Sequence, residues 1–279
     1  VASLAAYFDF EDVVAGTDPP RIPVPVFVAR VVEPNPQRPT EVRPPVGTVF
    51  ERSIDEAIRW LRQRNVRVMN PSVCQPHAAR AGVLPSPLTG RPHRPQVYSG
   101  GGTDGNPRWL PTLAAPHDKA TWDMLATVPA GLTVVSNGRM VSDRRVAGGL
   151  RTTHWSQEKP ASTYLISLVA APLVRIEDRW RDVPLSYYVY PEDSALARPL
   201  FGMTPDVMET FVRLTGVRYP WGRYAQVTAA DFIGGMENVG ATTLVDWLPD
   251  PRAYRDRPWY RRTLIPHELA HQWFGNYVT

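Results

Sequence analysis

The feature that most constrains the fold of this chain is an H-E-x-x-H motif formed by His267, Glu268 and His271. Two histidines four residues apart lie on one face of an α-helix, so both imidazoles can bind the same metal ion. A glutamate beside the first histidine can reach a metal-bound water and accept its proton. The motif therefore predicts a helix that carries two zinc ligands, His267 and His271, and a general base, Glu268.

Apolar residues surround the motif and indicate that its helix is partly buried. They are Leu264, Ile265, Leu269, Trp273 and Phe274. This surface argues against an exposed helix end with two unrelated histidines, because a buried histidine pair needs a partner and a metal is the usual one. Pro266 precedes the first histidine, and proline is tolerated only in the first turn of a helix. We expect the helix to begin near Pro266 or to kink there.

Composition limits the classes of function open to the chain. Its 279 residues, 43% of them hydrophobic, suffice for a sizeable core and two domains. The net charge of +4 comes from basic residues spread along the chain, which predicts no nucleic-acid partner. No apolar run is long enough to predict a transmembrane segment. The single cysteine, Cys74, together with a start that lacks a signal-peptide pattern, favours a cytoplasmic location without establishing it, and the oligomeric state stays open.

Periodicity divides the chain into three regions. Residues 1–96 are Pro-rich and predict a strand at 22–32, a helix from Ser53 and a strand at 66–69. Residues 97–180 are β-rich, and residues 181–279 read as an α/β region with the boundary near residue 180. We therefore expect an α+β fold.

Alternation and turn residues give the individual elements of the last two regions. Short strands are predicted at 121–128, 132–137, 151–156, 163–170, 173–179 and 185–190. A helix is predicted from an N-cap at Thr204, with Pro205 in its first turn, to a C-cap at Gly216. A further strand at 227–233 leads into a second motif.

The second motif is a G-G-M-E-N segment. It consists of Gly234, Gly235, Met236, Glu237 and Asn238. Two glycines let another backbone approach closely, and an edge strand with a carboxylate suits a peptide whose ammonium terminus pairs with that carboxylate. Alone, the pattern fits a glycine bulge with a solvated glutamate better. Beside an H-E-x-x-H motif it favours peptide binding through these five residues.

Together the two motifs resemble the aminopeptidase N family of zinc metallopeptidases. The segment GGMEN is similar to the family signature GAMEN, and HELAHQWFGNYVT is similar to HELAHQWFGNxVT. Residues 109–121, 133–138, 162–169 and 219–227 are also similar to family segments, so the resemblance covers about residues 97–279.

The resemblance implies a β-saddle N-terminal domain followed by the start of a thermolysin-like catalytic domain. It implies a zinc aminopeptidase that removes N-terminal residues from peptides with a free N-terminus and holds one Zn²⁺ per chain in the complete protein. By position, His267 and His271 would bind zinc, Glu268 would be the general base and Glu237 would bind the substrate amine. The glycine strand at 234–236 would pair with the substrate backbone.

Three departures from the family bear on this expectation. The family's third zinc ligand is a glutamate about nineteen positions after the second histidine, whereas 8 residues follow His271 here. The family's transition-state tyrosine lies further on still. A family glutamate that helps to hold the amine aligns with Gly102, and Ala114 and Ala115 replace a family Asp-Gln pair. We therefore expect a chain that is truncated after the H-E-x-x-H helix.

Three interpretations follow and stay open at this point. The first is a zinc aminopeptidase represented by its N-terminal part. The second is a truncated, catalytically inactive member of the same family that binds peptides or proteins. The third keeps zinc but changes the chemistry to an endopeptidase or another hydrolase.

Overall fold

The computed structural model describes residues 2–7, 25–32, 96–99, 105–108, 110, 112, 115–230, 232, 234–246 and 259–279. Several features of the sequence lie outside these residues: the helix predicted from Ser53, the strand predicted at 66–69, Cys74, Gly102 and Ala114. The predicted strand at 22–32 is present as strand β2 (Pro25–Val32), which pairs with β1 (Ala2–Tyr7).

Two antiparallel sheets make up the β-rich part. The larger sheet has the order β1-β2-β4-β7-β6. Besides β1 and β2 it contains β4 (Lys119–Pro129), β6 (Arg139–Val146) and β7 (Leu150–Ser162). The smaller has the order β3-β8-β5 and consists of β3 (Val97–Tyr98), β5 (Thr133–Ser136) and β8 (Leu168–Ala171). Every second residue of β4 from Trp122 to Val128 is buried, as the period-2 pattern predicted.

A mixed sheet follows, with the order β12-β13-β11-β10-β9. Its strands are β9 (Val174–Trp180), β10 (Val183–Val189), β11 (Tyr224–Ala229), β12 (Gly235–Met236) and β13 (Ala241–Val245). Strands β10, β11 and β13 are parallel, and β9 and β12 run antiparallel at the two edges. All residues of β11 and β13 are buried, as expected for parallel strands covered on both faces.

In the described part of the chain, three α-helices accompany the mixed sheet. Helices α1 (Ser194–Phe201) and α2 (Thr204–Thr215) connect β10 to β11, and α3 (Ile265–Ala270) carries the H-E-x-x-H motif. Helix α2 packs against α3 and the segment after it, where the rings of Phe211 and Trp273 lie 5.6 Å apart. Among the residues that the structure describes, no helix is both long and apolar enough to cross a bilayer.

The expected α+β fold class is confirmed, with local corrections. Residues 163–170 are not one strand, because Thr163–Leu165 forms a 3₁₀ turn before β8 begins. The strand predicted at 227–233 is displaced to β11, which ends at a turn at Ala230. Thr204 is the first residue of α2 rather than its N-cap, and its hydroxyl donates to Gln226 instead (2.8 Å). The C-cap at Gly216 is confirmed, with a left-handed φ of 69°.

The β-rich and α/β parts share one continuous hydrophobic core. Strand β9 ends at Trp180 and pairs with β10, which begins at Val183. These contacts do not mark a boundary near residue 180, so the division of the chain at that point stays a prediction.

A buried asparagine connects the small sheet to the mixed sheet. The Asn137 amide donates to the carbonyls of Leu165 (3.0 Å) and Val239 (2.9 Å), and its oxygen accepts from the Ser167 backbone N–H (2.7 Å). Asn137 is fully buried, and the Leu165 carbonyl also accepts from the Asn238 amide (3.3 Å), so the Val239 carbonyl and the Ser167 N–H are the two backbone groups that most depend on Asn137.

We predict that Asn137→Ala lowers the free energy of unfolding by about 3 kcal/mol, because it leaves buried backbone groups unpaired. Urea unfolding followed by circular dichroism measures this change. The control is Arg144→Ala on the exposed strand β6, which should stay within about 0.5 kcal/mol of the wild type. A loss below about 1 kcal/mol for Asn137→Ala would contradict the structural role of this side chain.

Candidate active site

Helix α3 brings the two predicted zinc ligands together. The Nε2 atoms of His267 and His271 lie 3.2 Å apart, and the ring centroids lie 4.7 Å apart. His271 Nδ1 lies 3.0 Å from the Phe274 carbonyl oxygen, so Nδ1 carries the proton and donates it. The neutral ring therefore presents the Nε2 lone pair towards His267, which is the tautomer that a metal ligand needs.

The separation of the two Nε2 atoms fits a shared metal ion. Two imidazole nitrogens on one tetrahedral zinc, each at about 2.0–2.1 Å, lie about 3.3 Å apart. His267 is exposed and His271 is half-buried, so the pair is open to an incoming ion. The described residues contain no group of three His, Cys, Asp or Glu side chains that could complete a site. The histidines thus fit as two ligands of an incomplete set.

Pro266 shapes the start of the helix that carries the H-E-x-x-H motif. It lies in the first turn of α3, as predicted, and the preceding residues Tyr260–Leu264 form a π-helical turn. A wider turn at this point accommodates a proline that has no N–H and whose ring crowds the preceding turn. The Tyr260 hydroxyl donates to the Val245 carbonyl (2.6 Å) and fixes this turn to the end of β13.

Glu268 is buried against the glycine strand. An ideal Cβ on Gly235 would lie 2.5 Å from the Glu268 carboxylate, so the absence of a side chain at this position is what lets the carboxylate lie there. Its Oε2 atom is buried without a hydrogen-bond partner in the structure. Burial, and next the negative charge of Glu237, raise the pKa of Glu268 to about 8.

The G-G-M-E-N segment lies at the edge of the mixed sheet. Strand β12 pairs with β13 through Gly235 and Met236, and among the described residues no strand pairs with its other side. Gly234 has a φ of 73°, a left-handed conformation that favours glycine, and turns the chain into this strand. Glu237 follows the strand directly and is half-buried, and Asn238 is fully buried.

Two residues that the sequence analysis did not single out join the motifs. Gln272 donates to the Glu237 carbonyl (3.0 Å), and its own oxygen accepts from the Gly240 N–H (2.9 Å). Asn276 donates to the same Glu237 carbonyl (2.7 Å). Both residues lie beside aromatic residues in the segment that follows H-E-x-x-H, and both are buried. A polar amide in such an apolar segment needs hydrogen-bond partners, and this is the sequence signal that could have identified them.

A third unassigned residue, Tyr164, reaches the site from the β-rich part. Its hydroxyl would lie 3.8 Å from a Cβ placed on Gly275. Burial, followed by the effect of Glu237, raises the pKa of Tyr164 to about 12. No local pattern in the sequence indicates that Tyr164 lies near Glu237, because the two residues are far apart along the chain.

An H-E-x-x-H helix packed beside a carboxylate-bearing edge strand defines a metallopeptidase type of site. Comparison with known protein families shows which family of peptidases the chain resembles. The Peptidase M1 N-terminal domain matches residues 101–165, and the Peptidase family M1 domain matches residues 201–279. The chain belongs to this aminopeptidase N-like family.

Individual relatives agree with this assignment. The chain is 31% identical over 176 residues to aminopeptidase 2, mitochondrial, from Saccharomyces cerevisiae, a match that covers 62% of this chain and 18% of that protein. It is 30% identical over 195 residues to human glutamyl aminopeptidase, covering 66% of this chain and 20% of the relative. Aminopeptidase M1 from Arabidopsis thaliana is 28% identical over 180 residues, covering 62% and 20%. The chain thus spans about a fifth of the length of these relatives.

We predict that the metal-free chain becomes less stable as the pH rises from about 5 to about 8. The folded chain keeps a proton on Glu268 that the unfolded chain releases near the ordinary pKa of 4.5, so folding is favoured below that value and the advantage is lost as pH rises to about 8. The free energy of unfolding, measured at several pH values in the presence of a chelator, tests this prediction. Glu268→Gln should flatten the pH dependence, whereas Glu158→Gln, on an exposed side chain, should not. If the stability of Glu268→Gln depended on pH as strongly as that of the wild type, Glu268 would not be the source of the pH dependence.

Proposed function

We propose that this chain forms part of a zinc aminopeptidase that hydrolyses the first peptide bond of peptides with a free N-terminus. The observation that carries the proposal is the contact between the edge strand and the metal-binding helix. Glu268 lies against Gly235, and Glu237 follows at the end of the same strand. The groups required for a base, a backbone template and an amine anchor therefore meet in one place.

Substrate binding is assigned to the free edge of β12. An extended peptide can add to this edge as a further strand, with its backbone paired to residues 234–236. The Glu237 carboxylate then accepts a charge-assisted hydrogen bond from the terminal ammonium. Pairing at the edge fixes the orientation of the peptide, and the ammonium fixes which peptide bond reaches the histidines.

Catalysis is assigned to the H-E-x-x-H helix. His267 and His271 supply two zinc ligands in this proposal, and the family resemblance implies a third about nineteen positions after His271. When bound, zinc polarises the scissile carbonyl and lowers the pKa of a coordinated water. Glu268 accepts a proton from the attacking water and passes it to the leaving amine. A carboxyl group whose pKa is raised to about 8 by burial is suited to this transfer, because it can both hold and release the proton near neutral pH.

We predict that Glu268→Gln lowers kcat by about a thousandfold, because the amide keeps the shape of the side chain but cannot accept the proton. The measurement is release of the first amino acid from a peptide by the protein at its natural length, with zinc supplied. Glu158→Gln is the matched control and should retain full activity. Unimpaired turnover by Glu268→Gln would remove this residue from the mechanism, and peptide binding without turnover by the wild type would favour the non-catalytic alternative.

We predict close to one zinc per chain in the same protein, by elemental analysis after dialysis against metal-free buffer. His271→Ala should lose this zinc, because it removes a nitrogen from the first coordination shell. His117→Ala, at an exposed position, should retain it. Retention of zinc by His271→Ala, or a zinc-free wild type, would overturn the assignment of these ligands.

A further inference from the structure

A cavity of about 450 Å³ lies where the β-rich part of the chain meets the mixed sheet. Its walls come from the start of β6, from β7, β9 and β10, and from the segment that leads into β11. A volume of this size suits a small organic molecule. None of the described residues that line the cavity belongs to the H-E-x-x-H or the G-G-M-E-N motif, so the cavity is separate from the candidate active site.

The lining of the cavity carries an excess of positive charge. Its charged side chains are those of Arg139, Glu158, Lys159, Arg175 and Arg223. Arg139 and Glu158 pair with each other (2.6 Å), so their charges offset one another. No further carboxylate among the described lining residues balances the other three cations.

Arg223 is held firmly in the wall of the cavity. Its guanidinium donates to the carbonyls of Ser136 and Gly138, and its Cζ lies 4.4 Å from the centroid of the Trp155 ring. These two bonds use two of the five N–H groups of an arginine, so donors remain for a ligand. Within the described ranges, no ion pair joins Arg223 to a carboxylate.

Arg223 keeps its charge despite this environment. Burial most strongly, and the positive charge of Arg175 to a lesser extent, lower the pKa of Arg223 to about 10, so it is still a cation at neutral pH. The effect of Arg175 shows that the two guanidinium groups repel each other. A bound anion would relieve this repulsion.

Arg175 and Lys159 are the two other cations, and both are exposed to solvent. Arg175 Nε donates to the Ser186 hydroxyl (3.1 Å). Its ion pair with Glu177 (3.1 Å) lies outside the cavity lining and is weak, because the Glu177 side chain is 72% exposed. Lys159 Nζ donates to the Pro220 carbonyl (2.8 Å) and forms no ion pair among the described residues.

We propose that this cavity is a binding site for a small organic anion. The acidic group of the ligand pairs with Arg175 and Arg223, since a guanidinium group can bind a carboxylate or a phosphate through two parallel hydrogen bonds. The apolar body of the ligand packs against Met140, Pro184 and Trp221, which also line the cavity. Met140 and Pro184 are exposed, so a ligand would remove apolar surface from water.

The cavity borders the candidate active site on one side. The Trp221 indole N–H donates to the Gln272 carbonyl (3.0 Å), and the Gly240 N–H donates to the Gln272 side chain (2.9 Å). The proposed ligand therefore binds next to the residue that holds the Glu237 carbonyl, but it contacts none of the groups assigned to zinc or to catalysis.

The test is calorimetric titration of the protein at its natural length with naphthoate and with naphthamide, which has the same ring system and no charge. A chelator is present, so that the carboxylate cannot bind through zinc. We expect naphthoate to bind about tenfold more tightly than naphthamide, because only naphthoate forms charge-assisted hydrogen bonds. Inorganic phosphate, which has no apolar body, should bind about tenfold more weakly than naphthoate.

Variants of the lining locate the binding site. Arg175→Gln should weaken the binding of naphthoate about tenfold and leave the binding of naphthamide unchanged, whereas Arg175→Lys, which keeps the charge, should retain most of the affinity. Arg175 is chosen because Arg223 also holds two backbone carbonyls, so its loss would affect folding. The matched control is Arg144→Gln, which makes the same change in net charge on the exposed strand β6 outside the cavity and should bind like the wild type.

Three results would overturn the proposal. They are the absence of naphthoate binding, equal affinity for naphthoate and either naphthamide or phosphate, and an equal effect of Arg175→Gln and Arg144→Gln. The titration requires neither zinc nor turnover, so a failure of the proposed aminopeptidase function would leave its result unchanged.

Discussion

The site depends on one backbone oxygen, the carbonyl of Glu237, which accepts hydrogen bonds from both Gln272 and Asn276. The two donors come from the segment that directly follows the metal-binding helix, and the acceptor comes from the edge strand. Both amides are buried, and Gln272 Nε2 also lies 3.4 Å from the Asn238 carbonyl oxygen, so breaking the Asn276 bond in particular would leave a buried N–H group without its partner. The strand and the helix therefore cannot shift independently, and the two sequence motifs act as one structural unit.

This coupling explains why an acid can be buried between the two motifs. Gly235 gives the Glu268 carboxylate space against the strand, and the nearby charge of Glu237 adds to the effect of burial on its pKa. Burying a carboxyl group disfavours its ionised form and destabilises the fold at higher pH. The proposed proton transfer by Glu268 would make use of such a raised pKa, which gives a physical reason for keeping the carboxyl group buried.

Local patterns predicted the elements that have one buried face. Alternation identified β4, and helical spacing with a C-cap glycine identified α2, because each period matches the face that packs on the core. The pattern failed for β6, where nearly all side chains are exposed, for β13, where all are buried, and for α1, which contains Pro199. Strands β6 and β13 have no alternation of buried and exposed residues, and the proline inside α1 is unfavourable in a helix.

In the candidate site, too, local patterns predicted only contacts between residues that are close along the chain. The spacing of His267 and His271 was sufficient to predict their convergence, since one helix determines it. The partners of Glu237 could not be found in this way. Gln272 lies 35 residues from it and Asn276 lies 39 residues from it, and no local period links such positions. Motifs predicted candidate groups for the chemistry, which stay a prediction, whereas the residues that hold those groups in place became visible only through tertiary contacts.

The two ends of the site consequently depend on different parts of the chain. The metal end is built within one helix, so its geometry follows from local backbone structure. The proposed amine end depends on several segments: Gln272 and Asn276 hold the Glu237 carbonyl, and Lys119 of the β-rich part donates to the Tyr277 carbonyl (2.9 Å) beside Asn276. Under the proposed function, a change in the β-rich part would therefore alter recognition of the substrate terminus while the histidine pair keeps its separation, because separate sets of contacts maintain the two ends.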